Sequence, residues 1–215
     1  MIVAITQRID RVDGRIECRD AVDQMLLKWV SDAGYNPVTI PNIFFHDGNS
    51  EDKQRLNIEN WLKIVKPKAI LLSGGNDIGE FPNRDATESY LLTWAKAANA
   101  PVLGICRGMQ MMAVYEGCSL VKVVDHVRVN HKLIIKNGRE EFPSRVNSFH
   151  DWAIATCPQN YEVMASSEDG AIEAIKHIKL AWEGWMWHPE REKIFSKMDT
   201  CRMQNLFSNR LSTTK

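Results

Sequence analysis

The segment Gly104-Ile105-Cys106-Arg107-Gly108 follows the apolar run Pro101-Val102-Leu103 and leads into a stretch of helix-forming residues. This is the pattern of a short buried strand that turns sharply into a helix, with glycines removing side chains where the two backbones approach. A cysteine at that turn sits at a helix N-terminus, where backbone N–H groups and the helix dipole stabilise a thiolate nucleophile. The competing reading is a small apolar core cysteine, against which the flanking glycines and the polar Arg107 argue. Such a nucleophile needs a base. Trp185-Met186-Trp187-His188-Pro189-Glu190 places an imidazole just before a proline that ends a strand, with a carboxylate two residues on. His188 can take the thiol proton while Glu190 orients the ring and stabilises its charged form. His-x-Glu alone describes many packed histidines; its meaning here comes from the cysteine turn.

The elements that must position these groups read as alternating strands and helices. An apolar strand spans 2–6, and 17–33 carries Val22, Leu26, Trp29 and Val30 at helical spacing. A strand over 36–40 precedes a helix over 51–65, with Leu56, Trp61, Leu62 and Val65 as its inner face. A strand over 69–72, a helix over 85–99 and a strand over 102–105 then deliver Cys106. Beyond the nucleophile helix the pattern shortens to strands over 120–124, 132–135, 161–165, 172–176 and 180–186, with a hairpin turn at Lys136-Asn137-Gly138-Arg139 and a closing helix over 191–206. Trp182, Trp185 and Trp187 read as packing residues. Repeated βαβ units imply a mostly parallel sheet covered on both faces, with its site beyond the carboxyl ends of the strands. Ser73-Gly74-Gly75 then falls beside Cys106. With no repeat, linker or low-complexity segment, 1–215 reads as one domain.

Composition sets the remaining bounds. A chain of 215 residues with 44% hydrophobic content can bury a sizeable core. Lysine plus arginine and aspartate plus glutamate stand at 27 each, which gives no global electrostatic reason to expect nucleic acid or an anionic membrane. No leader-like segment and no membrane-length apolar run is present, so a cytoplasmic location is the default expectation. The five cysteines are scattered and contain no C-x-x-C pair, which suggests neither disulfides nor a zinc site. Only Cys106 has a reactive setting; Cys118 reads as a packing residue. Of the six histidines, His126, His131 and His150 form the most suggestive cluster, but no carboxylate accompanies them in a local ligand pattern, so no metal is expected.

Gly104-Ile105-Cys106-Arg107-Gly108-Met109-Gln110 together with Trp187-His188-Pro189-Glu190 resembles the class I glutamine amidotransferase superfamily, in particular its free-standing γ-glutamyl hydrolase branch, peptidase family C26. Ile70-Leu71-Leu72-Ser73-Gly74-Gly75-Asn76-Asp77 resembles that branch's glycine-rich loop, and Arg84-Asp85 with Glu88 its next helix. Asn147-Ser148-Phe149-His150 resembles its substrate-side loop, and His126 with His131 falls where the family often has a histidine-containing segment. The resemblance implies a three-layer, flavodoxin-like α/β fold with a Cys106, His188, Glu190 triad and no cofactor. It further implies an oxyanion hole from the backbone N–H groups of Gly75 and Arg107, and glutamyl contacts from Gln110, Asn147, Ser148, Phe149 and His150. Gln110 is equally suited to bracing a loop, and the loop over 147–150 can act through backbone atoms alone.

The substrate this resemblance implies is a small-molecule γ-glutamyl amide. The compact chain, Ile5-Thr6-Gln7-Arg8 and Val146-Asn147-Ser148-Phe149-His150 are similar to the γ-glutamyl-CDP-amidate hydrolases, which release cytidine diphosphoramidate for capsular phosphoramidate synthesis. Arg8, Arg15 or Arg19 would then meet an anionic leaving group. Hydrolysis of γ-glutamyl-GABA is the second reading, although the Gly75-Asn76-Asp77-Ile78 stretch and the shorter chain depart from that group's pattern; Met186 and Asp151 depart from the pattern of many relatives more widely. A glutaminase subunit feeding a synthetase is the lesser expectation for a partner, and a homodimer is compatible with the chain.

Overall fold

The computed structural model describes residues 1–45, 48, 50–136 and 142–208. In chain order its elements are β1 (Ile2–Ile5), β2 (Arg8–Arg11), β3 (Cys18–Ala21), α1 (Gln24–Asp32), β4 (Asn36–Thr39), α2 (Glu51–Val65), β5 (Ala69–Leu72), α3 (Pro82–Ala98), β6 (Val102–Ile105) and α4 (Arg107–Tyr115). There follow β7 (Leu120–Lys122), β8 (Val127–Lys132), β9 (Ile134–Ile135), β10 (Arg145–Phe149), β11 (Trp152–Ile154), β12 (Tyr161–Ser166), β13 (Ile172–His177), β14 (Trp182–Trp185) and α5 (Lys197–Phe207).

The main sheet has eight strands in the order β4-β1-β5-β6-β14-β13-β12-β9. From β4 to β14 every pair is parallel, and from β14 to β9 every pair is antiparallel. Strands β5, β6 and β14 are buried along their whole length, as parallel strands covered on both faces must be. Adjacent residues of β14 show the two faces. A Cβ on Gly184 would meet Met109 of α4, whereas Trp185 packs on Trp29 of α1, 6.4 Å between ring centroids. Glu183 points the same way as Trp185 and is paired, though buried, with Arg202 of α5. Helices α1 and α5 therefore share one face, joined by Trp29 Nε1 donating to Thr200 Oγ1, and α4 covers the other. The result is a three-layer, flavodoxin-like α/β fold. Among the described residues no helix is long and apolar enough to cross a membrane.

Helix α2 and strands β5 and β6 have the bounds the sequence predicts. Residues 17–33 do not form one helix. Residues 18–21 are instead β3, hairpinned onto β2 through a turn at Asp13-Gly14, where Gly14 has φ 71°. Helix α1 starts only at Gln24, after Asp23 accepts a hydrogen bond from the Met25 N–H. The closing helix likewise starts late, at Lys197 with Ser196 as its cap, and α3 starts early because Pro82 suits a first helical turn. Within α2, Leu56 is not on the inner face but 54% exposed. Strands β8 and β10 pair into a separate antiparallel ribbon, and the residues 132–135 expected as one strand divide between β8 and β9. The turn expected at 136–139 lies outside the described residues from 137 onward.

Candidate active site

The buried strand β6 ends at Ile105, and Cys106 follows with φ 50° and ψ −106°, a backbone conformation rare for an L-residue. Strain of this kind costs about 1–3 kcal/mol and persists only where surrounding structure enforces it. Here the enforcement is visible. The Cys106 N–H donates to Trp185 O at 2.7 Å, and the Cys106 carbonyl accepts from Gln110 N at 3.1 Å to begin α4. A Cβ on Gly104 would lie 2.6 Å from the backbone carbon of Gly108, and one on Gly108 only 2.2 Å from Leu72 O. Both glycines are thus needed to seat α4 on β5 and β6, with a 7% exposed Cys106 at the joint.

Strand β14 lies alongside β6, with Gly184 opposite Gly104 and Trp185 opposite Ile105, so the chain beyond both strands emerges at the same place. His188 arrives there 2% exposed. Its Nδ1 donates to Glu190 Oε1 at 2.6 Å, which fixes the tautomer, and the ring lies close enough to Cys106 to respond to its charge. Burial pulls the imidazole's pKa down, but the charges of Cys106 and Glu190, with the hydrogen bond to Glu190, outweigh it and raise the value to about 9. The backbone of His188 is gripped by one side chain: Asn147 Oδ1 accepts its N–H at 2.9 Å, and Asn147 Nδ2 donates to its carbonyl at 2.8 Å. Phe149 meets the ring edge-on, 5.9 Å between centroids.

The glycine-rich loop at the end of β5 closes the other side. A Cβ on Gly74 would lie 2.7 Å from His188 Cε1, so the loop backbone runs flush against the imidazole. Gly75 has φ 116° and backs onto Arg8. The loop is held from beneath by buried charge. Arg84 Nη2 donates to the carbonyls of Ser73 and Gly74, each at 2.9 Å, and the Thr6 hydroxyl accepts the Ser73 N–H at 2.9 Å. Arg84 Nε pairs with Glu88 Oε1 at 3.1 Å, while the Arg107 guanidinium pairs with the other Glu88 oxygen and with Asp85. Burial, reinforced by the charge of Arg107, lowers the pKa of Arg84 to about 10 against the pull of Glu88. Burial alone would raise that of Glu88, and the two guanidiniums hold it below the usual carboxylate range. The Arg107 side chain thus serves this network, leaving its backbone N–H, at the first position of α4, without an intrahelical acceptor.

Most of the predicted substrate-side residues are occupied elsewhere. Gln110 Nε2 donates to Trp152 O at 2.8 Å, the bracing role. Ser148 Oγ donates to His126 O at 2.6 Å, and His150 sits among the other histidines with its Nδ1 donating to Trp152 O at 3.0 Å. Arg8 lines one small cavity with Gly74, Gly75, His188 and Glu190, paired to Asp10 at 2.9 Å. Arg19 is bound to Glu17 at 2.6 Å on the surface, and Arg15 lines a separate wide groove. Sequence reasoning did not find the supporting roles of Thr6, Arg84, Glu88 and Asn147. A signal did exist for two of them: Arg84 and Glu88 share the helical stripe of Leu91, Leu92 and Ala95, so they had to be buried.

A model of the peptidase C26 family matches residues 2–190. The chain belongs to the peptidase C26 family. Among curated relatives it is 37% identical over 131 residues to the γ-glutamyl-CDP-amidate hydrolase of Campylobacter jejuni, covering 58% of this chain and 63% of that one. It is 30% identical over 128 residues to a glutamine-hydrolyzing GMP synthase subunit of Methanococcus aeolicus, covering 57% and 64%. The matched part therefore spans less than two thirds of either relative's length. Of solved structures, a protein assigned as a GMP synthase subunit from Thermoplasma acidophilum superposes with a TM-score of 0.70 at 19% identity, over 99% of this chain and 95% of that one. A Thermotoga maritima glutamine amidotransferase gives 0.61 at 17% identity, over 98% and 83%. At those identities the likeness is one of fold.

Proposed function

We propose that this C26 protein hydrolyses a γ-glutamyl amide through a Cys106, His188, Glu190 triad, and that the amide is γ-glutamyl-CDP-amidate. The observation that carries the reading is the strained, glycine-seated Cys106 beside an imidazole that Glu190 holds in one tautomer. Cys106 Sγ attacks the γ-carbonyl carbon, and the carbonyl electron pair moves onto oxygen, where the N–H groups of Gly75 and Arg107 receive it. Losing one such donor typically costs about two to three powers of ten in rate. The C–N bond then breaks as His188 gives its proton to the departing nitrogen, leaving a γ-glutamyl thioester. Water, deprotonated by His188, cleaves that thioester to glutamate and free thiol. The buried ion network under Ser73-Gly74-Gly75 keeps the oxyanion donors in place without reorganisation.

One feature supports the anionic substrate. The Campylobacter relative carries that activity in its name. Beside the catalytic end of the sheet, a wide groove between the β2–β3 hairpin and the start of α3 carries Arg11 and Arg15 but also Glu17, Asp20 and Glu80, so its charge does not by itself favour an anion. Asn76, the residue after the glycine loop, bonds both the N–H and carbonyl of Ile9 at 2.8 and 2.9 Å, which ties that groove to the oxyanion loop. Product release would then serve capsular phosphoramidate synthesis, in the cytoplasm.

A second reading rests on the GMP synthase relatives: a glutaminase subunit that passes ammonia to a synthetase. Glutamate release from glutamine, γ-glutamyl-GABA and γ-glutamyl-CDP-amidate, with Cys106→Ala as blank, separates the readings. Preference for the CDP-amidate by the isolated chain is expected. Turnover of glutamine that rises only with a synthetase present would move the protein to the second reading, and full activity of Cys106→Ala would remove the triad.

A further inference from the structure

A second polar cluster lies at the foot of the β8–β10 ribbon, where it meets the main sheet. His126 precedes β8, His131 is on it, His150 follows β10, and Glu173 belongs to β13 of the main sheet. One nitrogen from each histidine and one Glu173 oxygen all lie within 4.8 Å of one another. Glu173 is 0% exposed, and neither of its carboxylate oxygens has a hydrogen-bond partner; the buried His131 Nε2 has none either. A carboxylate so buried without a hydrogen-bond donor is strongly unfavourable.

The outer contacts of the rings decide what the inner atoms are. His126 Nε2 faces Asp169 Oδ2 at 2.8 Å, and a carboxylate can only accept, so in the neutral ring the proton is on Nε2 and Nδ1 is bare. His150 Nδ1 faces the Trp152 carbonyl at 3.0 Å, which also only accepts, so its Nε2 is bare. These two lone pairs point at each other across 3.3 Å, with Glu173 Oε1 at 3.7 Å from the first and 3.6 Å from the second. A set of acceptors converging on one point is held together by a cation. In a tetrahedral site with metal–nitrogen bonds of about 2.0–2.1 Å, ligand atoms stand roughly 3.3 Å apart. A carboxylate and a backbone carbonyl behind the imidazoles are also the supports that ligating histidines use.

We propose that His126 Nδ1, His131 Nε2, His150 Nε2 and Glu173 form a tetrahedral site for a zinc-class divalent cation that clasps the β8–β10 ribbon to the main sheet. Four protein ligands leave no open position, so the role is structural rather than catalytic. The ribbon it fixes carries Asn147 and Phe149, the residues that grip and pack His188. The local sequence hides the site because its carboxylate comes from a strand more than twenty residues away.

Untagged full-length protein, purified without chelator, should contain about one equivalent of zinc by elemental mass spectrometry. Stripping with dipicolinate should lower the melting temperature, and Zn²⁺ but not Mg²⁺ should restore it. Co²⁺ added to the stripped wild type should give the intense visible bands of a tetrahedral centre. Glu173→Gln, which keeps the side-chain shape, should bind Zn²⁺ at least tenfold more weakly. Substoichiometric metal in the purified protein together with no saturable Zn²⁺ or Co²⁺ binding by the stripped wild type overturns the proposal and assigns the cluster to shared protons. Because these readouts use metal content, spectrum and melting, they stand whatever the fate of the proposed hydrolase activity.

Discussion

Gly108→Ala isolates the contact that seats Cys106. On local preference alone the change is favourable, since alanine in a helix is about 1 kcal/mol better than glycine and Gly108 has an ordinary φ. The structure reverses that sign. The new Cβ would lie 2.2 Å from Leu72 O, and 2.8 Å from both Leu72 C and Leu72 Cβ. Restoring an ordinary non-bonded separation of about 3.5 Å requires α4 and β5 to part by roughly 1 Å. Overpacking of this kind costs about 1–3 kcal/mol, occasionally more. The first residue ahead of α4 is Cys106, so the same shift moves Sγ relative to His188 and the glycine loop, and a 1 Å displacement at a reacting centre costs on the order of a hundredfold. Urea denaturation should therefore show a lower midpoint, and both glutamate release and the rate of Cys106 modification by a glutamine-like electrophile should fall by about two powers of ten. Gly79→Ala is the control: nothing lies within 4 Å of its Cβ, so its φ of 92° leaves only conformational strain, without displacement of the nucleophile. A Gly108→Ala protein as stable and as reactive as wild type would refute the argument that the close approach positions Cys106.

The raised pKa of His188 sets an alkaline limit. Leaving-group protonation fades as pH rises through about 9, and the stability contributed by the charged imidazole, full below about 6.5, is lost over the same range; a rate profile still rising above pH 10 would contradict this. Glu88→Gln leaves two buried guanidiniums facing each other without their shared counter-charge, and should cost about 3–5 kcal/mol in denaturant titration. A loss under about 1 kcal/mol would show that the network is not needed for folding. Buried Asp199 has its pKa raised to about 7, chiefly by burial, so its destabilisation grows as pH rises from about 4 to 7 and is constant above. Asp199→Asn should thus raise the melting temperature at pH 8 more than at pH 5, and an equal gain at both would dismiss this account.

What was legible in the sequence follows the range of the forces concerned. Strand β6 and the Cys106 turn, helix α2, and the His188-Pro189-Glu190 segment are specified by neighbours within a few residues, through apolar runs, caps and glycines. Residues 17–21 misled because their spacing fits a helix, while the Asp13-Gly14 turn that makes them a strand acts through pairing with β2. The job of Asn147 was invisible for the same reason: its partner is 41 residues distant. Arg84 and Glu88 entered only through the family resemblance, although the stripe they share with Leu91, Leu92 and Ala95 signals their burial; their job, holding the glycine loop, depends on Ser73 and Gly74 from another element. His126, His131 and His150 were visible as a group, but Glu173, which changes their meaning, reaches them only through the sheet.

The order in which the sheet is assembled from the ribosome differs from its order in space. Strand β14 is the last strand among the described residues, yet it lies between β6 and β13 in the middle of the sheet. Until it emerges, β6 carries an unpaired, wholly apolar edge, and Cys106 has neither the Trp185 carbonyl that holds its backbone nor its imidazole partner. About 80 residues separate Cys106 from His188, which at roughly 5–20 residues per second is a delay of several seconds during synthesis. On the proposed triad the nascent chain is chemically silent through that interval, and a product truncated before β14 would keep a sticky edge. The strand that brings in His188 also joins the two halves of the sheet, so the sheet is completed and Cys106 meets its imidazole in one step.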